Sequence, residues 1–173
     1  IGASLCEDLI TRHIAITKKE DIRLLQNSKY VQSDIGDIYS ITIDALEKGK
    51  TVLFTGCPCQ VAGLYAVLPI KYEKLYTADI VCHGVPSPFF LKRSLEEASR
   101  TRKRKVVDYK FRHKKPFGKS QSSFYMMMMM KHGFPIVRKP EMDPYFNCFM
   151  KSMSFRESCY QCKYANLQRV ADF

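Results

Sequence analysis

Seven cysteines, at positions 6, 57, 59, 82, 148, 159 and 162, carry most of the chemistry legible in this 173-residue chain. Cys159-Tyr160-Gln161-Cys162 is a CxxC pair, a short turn that brings two sulfurs to the same side. Cys59 follows the apolar run Thr51–Thr55, and Cys82 ends a second run, Thr77–Cys82. If the two runs are neighbouring parallel strands, both thiols lie at carboxyl ends, where α/β proteins place ligands. One CxxC plus two strand-end cysteines gives a four-thiolate set: Cys59, Cys82, Cys159 and Cys162. Such a set suits an iron–sulfur cluster or a structural zinc. The spacing leans away from a zinc ribbon, which carries two CxxC pairs. In Cys57-Pro58-Cys59, Cys57 can exchange with Cys59 as the ligand. Cys6 and Cys148 read as small buried hydrophobes. A thioredoxin-type dithiol at 159–162 lacks the strand-then-helix setting it needs.

Other residues near these cysteines have two readings each. His83, beside Cys82, is a ligand, a proton donor or a hydrogen-bonded part of the turn. Gly56 and Gly84 free backbone amides at strand-to-helix turns, which suits anionic acceptors. Arg112 and Lys114 lie two apart on an expected strand and so point to one side. They either grip a flavin pyrophosphate or are solvated charges. The net charge is +11, and ten bases against one acid between Arg100 and Lys119 supply +9 of it. That segment is a solvated face or an anion site. No nucleic-acid motif accompanies it, so nucleic acid is not the expected partner.

The elements that must position these groups follow from the apolar pattern. Composition is 46% hydrophobic and 26% charged, that of one soluble globular domain over 1–173. No apolar run approaches the ~20 residues of a membrane helix. Cys6-Glu7-Asp8 and Arg12 interrupt any signal-peptide core. An odd cysteine count without a secretion signal points to a reducing cytoplasm. The chain starts at Ile1 and stops soon after a cysteine pair, and reads as a fragment cut at both ends. The pattern predicts strands over 9–17, 51–55, 77–82, 106–112, 123–131 and 136–138. It predicts helices over 21–25, 34–48, 60–68, 89–99 and 144–152. Residues 28–33 read as a polar loop or short strand, and 159–162 as a loop. The runs at 51–55 and 77–82 read as strands buried on both faces. Met126–Met130 reads as core filling. The expected fold is α/β, a central mixed, partly parallel sheet flanked by helices, with a cysteine-rich C-terminal loop.

Several blocks resemble the coenzyme F-420 hydrogenase/dehydrogenase beta-subunit family, in particular its C-terminal domain. They are Ser28-Lys-Tyr-Val-Gln-Ser33, Val52-Leu-Phe-Thr-Gly-Cys-Pro-Cys-Gln60, Asp79-Ile-Val-Cys-His-Gly-Val-Pro-Ser-Pro88, Phe111-Arg-His-Lys114, Asp143-Pro-Tyr145 and Arg156-Glu-Ser-Cys-Tyr-Gln-Cys-Lys163, with Arg169 and Ala171-Asp172. The resemblance implies an oxidoreductase carrying FAD and a 4Fe-4S cluster. It implies electron passage between the cluster and a small-molecule hydride donor or acceptor, coenzyme F-420 in archaeal members, with a redox partner protein or ferredoxin-like domain. Carried over by motif, Cys59, Cys82, Cys159 and Cys162 are the cluster ligands. Ser28, Lys29, Tyr30, Gln32, Ser33, Thr55, Gly56, Pro58, Gln60, Arg112 and Lys114 belong to the flavin and substrate cleft. No side-chain nucleophile is expected.

The chain departs from the family in carrying Cys57 where threonine is common and in having no Trp. It also lacks much of the family's N-terminal part, the ferredoxin-like domain of some members, and the usual continuation past Phe173. A competing expectation is a zinc-stabilised basic binding module without catalytic activity. Another is a relative that keeps the fold but acts on a different substrate, for instance in surface-polysaccharide pathways.

Overall fold

The computed structural model describes residues 1–114, 124–166 and 169–173. The bases Lys115 and Lys119 and the expected strand start at Ser123 lie outside the described residues.

Among the described residues, strands and helices follow in mixed order: β1 (Gly2–Leu5), β2 (Thr11–Ile14), α1 (Ile22–Leu25), α2 (Ile38–Glu47), β3 (Val52–Gly56), α3 (Pro58–Val67), β4 (Leu75–Asp79), α4 (Pro88–Arg102), β5 (Val106–Lys114), β6 (Phe124–Met130), β7 (Ile136–Arg138), α5 (Pro144–Met150) and α6 (Glu157–Tyr160). None of these helices is long and apolar enough to cross a membrane.

The fold is α/β, as the alternation of patterns requires. β3 and β4 are parallel, in register from Val52 opposite Leu75 to Gly56 opposite Asp79. β1 and β2 are antiparallel. Backbone bonds from Ile1 N to Leu53 O and from Thr55 N to Ile1 O join the two pairs. On the far side of β4, Phe173 exchanges bonds with Thr77 and Asp79. A second sheet, β5-β6-β7, is antiparallel throughout.

The expectation that β3 and β4 are buried on both faces fails. Phe54 and Thr77 are fully buried, yet Leu53 and Tyr76 are about half exposed. Phe54 packs with Ile38 of α2 and with Val61 and Leu64 of α3, a core covering one face. β4 also stops early. Asp79 is the last paired residue, and its carboxylate is engaged by Arg169 and by the Val170 and Ala171 N–H groups. Beyond it the chain leaves the sheet, and Val81 is 91% exposed. Cys82 is therefore on the loop after β4, not on the strand.

α2 starts at Ile38, four residues after the expected Asp34. The Asp34 carboxylate accepts from Gly36 N at 3.0 Å and so closes a turn of its own. The backbone of Asp34 is meanwhile paired with β2. Strand β1 carried no clear pattern in the sequence. The Cys159–Cys162 segment, expected as a loop, opens on the helical turn α6.

The larger core lies between β5-β6 and helices α4 and α5. Met126, Met128 and Met130 are buried in it, as the methionine run suggests, and Met127 is buried outside it. Helices α3, α4 and α5 open on proline, whose missing N–H costs nothing at that position. Ser87 caps α4 through Phe89 N, and Asp143 caps α5 through Phe146 N.

Candidate functional site

The loop after β3, the loop after β4 and the C-terminal segment meet at the carboxyl end of the parallel pair. Three backbone contacts tie the loop after β4 to residue 32 and to the C-terminal segment. Gln32 N donates to Pro86 O, Arg156 N donates to Val85 O, and Pro86 and Phe155 form an antiparallel bridge. The Phe155 ring packs against His83, Phe149 and Tyr160, tying α6 to the larger core. Gly84 makes this approach possible. Its φ is +124°, and a Cβ there would stand 2.5 Å from the Phe155 ring.

These contacts enclose a cavity of about 240 Å³. Cys57, Cys59, Cys82, Cys159 and Cys162 all line it, with Arg156 and Lys163. The four sequence-predicted thiols thus come together, and Cys57 joins them. Cys6 and Cys148 do not. Among the described residues no three His, Cys, Asp or Glu side chains are grouped tightly enough to hold a single metal ion. The thiols instead surround an open space.

Their electrostatics reflect mutual proximity. Hydrogen bonding between the Cys57 and Cys82 thiols, then burial, pushes Cys57 up. The same hydrogen bond draws Cys82 down to about 6, helped by the Gly84 N–H. Burial and the neighbouring Cys82, Cys162 and Cys159 push Cys59 up. Thiols that raise one another in this way suit a cationic guest, and Arg156 and Lys163 line the same cavity.

Against this cavity lies a cleft of about 490 Å³, sharing Cys57, Cys82, His83, Gly84 and Val85 with it. Ser28, Lys29, Tyr30, Ser33, Thr55, Gly56 and Gln60, which the resemblance assigns to a flavin and substrate cleft, line this one. Gln32 and Pro58 line the cysteine cavity instead, and Arg156 donates to Gln32 Oε1 at 2.9 Å. Arg112 and Lys114 face a separate groove of about 460 Å³ that shares Asn27, Ser28 and Lys29 with the cleft. Arg112 there sits over the Phe124 ring at 4.8 Å.

Two of the expected cleft residues spend their side chains on each other. Gln60 Nε2 donates to Ser33 Oγ at 2.9 Å, and Gln60 Oε1 accepts from Cys57 N at 2.9 Å. Ser33 Oγ bonds His13 Nδ1 at 2.8 Å, and His13 Nε2 bonds Thr55 O at 3.0 Å. A neutral imidazole that accepts from Ser33 and donates to Thr55 satisfies every partner. Burial, the main influence on His13, lowers its proton affinity and agrees with that form. The network fixes the β3–α3 turn and hence Cys57. Gly56 belongs to it too, since a Cβ there would come within 3.2 Å of both Gln60 Oε1 and His13 Nε2.

His13 was not singled out in the sequence. It sits in a short alternating strand with no motif around it, and only its pairing across to Thr55 reveals its part. Lys29 donates to Gln26 O at 2.7 Å, and burial lowers its pKa to about 8. His83 lines both spaces and packs on Phe149 and Phe155.

Residues 49–173 match the family described as the C terminus of the coenzyme F420 hydrogenase/dehydrogenase beta subunit. No curated protein matches the chain closely enough to count as a relative. The match covers well over half of the sequence, and the chain belongs to that family. It is accordingly a domain of the oxidoreductase type, from a protein that works as one subunit among others.

Proposed function

We propose that this domain couples a 4Fe-4S cluster in the cysteine cavity to FAD in the adjoining cleft. On this reading it passes electrons to or from a small-molecule hydride donor or acceptor, coenzyme F-420 or another substrate. The observation that carries this reading is the convergence of five thiols around one space that shares a wall with an adjoining cleft. A space of about 240 Å³ bounded by thiols suits a multi-atom cluster better than one zinc ion, whose four sulfurs must all lie at about 2.3 Å.

Cys59, Cys82, Cys159 and Cys162 would hold the cluster. When bound, the flavin supplies two-electron hydride chemistry and the cluster single-electron transfer. The protein's own part is position and charge. Lys29 offers a cation at the cleft wall, which favours anionic groups there. Arg112 and Lys114 line the neighbouring groove, which shares Ser28 and Lys29 with the cleft, and would supply positive charge to hold a flavin pyrophosphate. Tyr30 and Phe149 give the cleft an apolar side that is packed into the larger core. The His13–Ser33–Gln60 network holds the turn between the two spaces.

The proposed setting is the cytoplasm, with a redox partner protein or ferredoxin-like domain as electron donor or acceptor. The test is purification of the protein without oxygen, followed by a visible spectrum and analysis for iron, sulfide and flavin. A brown-yellow protein containing all three is the expected result. A colourless protein holding one zinc per chain would overturn the proposal.

A further inference from the structure

Between the β1–β2 hairpin and α4 lies a groove of about 640 Å³, within the roughly 300–1,000 Å³ of small-molecule sites. It shares only Val31 with the cleft and no residue with the cysteine cavity. One side is a face of α4, where Leu91, Leu95 and Ser99 recur at four-residue spacing. The other is the hairpin turn with Leu9 and Ile10, closed by Cys6 N donating to Ile10 O and Leu9 N donating to Cys6 O. Leu91 and Leu95 are buried, whereas Phe89 at the start of α4 is 73% exposed.

The uncharged and acidic side chains of this groove have nothing to offer a guest. Ser99 Oγ donates to Leu95 O at 2.8 Å and accepts from Val106 N at 3.1 Å. Both Asp8 oxygens accept from Arg12, and Glu96 pairs with Arg93 at 3.8 Å. Thr11 Oγ1, without a partner among the described residues, is closed off from the surface. A guest with N–H or C=O groups along its length would lose water there without replacement. The cations are unspent. Lys92 and Lys105 line the groove and have no acidic partner among the described residues. Arg102, Lys103 and Arg104, exposed immediately before Lys105, have none either. The basic segment thus brings its charge to the end of the groove where α4 stops.

We propose that this groove binds an amphipathic anion: a single apolar chain lying along α4, with a terminal carboxylate at Lys105 in the field of Arg102, Lys103 and Arg104. The apolar faces of Ile10 and Phe89 take the chain, and the carboxylate stays at the wet end, where its partners are exposed cations.

The experiment is isothermal titration calorimetry of the full chain at low salt with sodium laurate, below its micelle-forming concentration. One laurate per chain is the expected result. Dodecyltrimethylammonium, with the same chain and the opposite charge, should bind at least about fivefold more weakly. Lys105→Glu should weaken laurate by about fivefold through charge alone. Ile10→Asp should weaken it by about tenfold, because a carboxylate then faces the apolar chain. Should Ile10→Asp not fold, Phe89→Asp carries the same comparison. Equal affinity for laurate and the cationic amphiphile overturns the inference. So does laurate binding that is unchanged in Lys105→Glu, or that takes up several molecules per chain. Absence of laurate binding overturns it too, and a dimer that Ile10→Asp dissociates would then give the groove to a second copy of this chain.

Discussion

Gly84→Ala should both destabilise the fold and empty the cysteine cavity, for two separable reasons. The first is backbone strain. A φ of +124° is open to glycine and costs other residues about 1–3 kcal/mol. The second is overlap. The new methyl would stand 2.5, 2.6 and 2.8 Å from three Phe155 ring atoms, so the ring or the backbone must shift. Forcing atoms into such a packed contact costs a further ~1–3 kcal/mol. The sum, about 2–6 kcal/mol, is a large part of an ordinary domain's 5–15 kcal/mol. The ring cannot move alone, because it packs on His83, Phe149 and Tyr160 and its backbone is bridged to Pro86. Displacing it carries Cys159 and Cys162 away from Cys82. Urea denaturation and iron content of the anaerobically purified protein read the two effects. In a Phe155→Leu background the overlap is relieved, and adding Gly84→Ala should cost only the strain. Gly36→Ala is the control: its φ is +48° with nothing within 4 Å of the new Cβ, so it should cost ~1–2 kcal/mol and leave iron unchanged. Wild-type stability and iron content in Gly84→Ala would refute this reasoning. So would an undiminished cost in the Phe155→Leu background.

Lys29 gives a pH dependence with a definite sign. Its pKa falls from 10.5 to about 8 through burial, so between those values the unfolded chain holds a proton that the folded chain has released. Stability from this group therefore rises with pH across that window, and Lys29→Met should flatten the rise in urea titrations. Flavin affinity should fall as pH passes about 8 in the wild type, and fluorescence titration of Lys29→Met should show no such step. Asp79→Asn should cost about 1–3 kcal/mol in urea denaturation, because a buried carboxylate that holds Arg169 and two backbone N–H groups loses its charge. Tyr109→Phe should cost a similar 1–3 kcal/mol, since the fully buried Asp143 loses the phenol at 3.2 Å from its Oδ1.

What the sequence could and could not disclose follows from the range of the forces involved. Local pattern located β3, α3, α4, β5 and the buried methionines of β6, because side-chain periodicity and proline positions act within a few residues. It overstated the burial of β3 and β4: an apolar run such as Val52-Leu-Phe-Thr does not say how many faces its neighbours will cover, and Leu53 is left about half exposed. It placed the α2 start at Asp34 because the helical spacing of apolar residues runs back to Ile35. It could not show that the Asp34 carboxylate closes a turn at Gly36 while the backbone of Asp34 pairs with β2.

The cysteine set was legible because CxxC spacing and strand-end positions are local signs, but the convergence of those thiols depends on contacts that are not. Pro86 must bridge Phe155, 69 residues later, and this requires a glycine at 84 with a conformation that no spacing rule announces. The same holds for the turn that carries Cys57. Ser33 and Gln60 enter as cofactor contacts through the family resemblance of their sequence blocks alone. In the fold their hydrogen-bonding capacity goes to His13 and to each other. A Ser33→Ala change should therefore act on structure before it acts on binding. It would leave His13 Nδ1 and Gln60 Nε2 each short of a bond to its hydroxyl, costing about 1–3 kcal/mol in a buried setting. If instead flavin affinity fell in Ser33→Ala while stability held, the side chain would be a ligand contact after all and the network merely its resting arrangement.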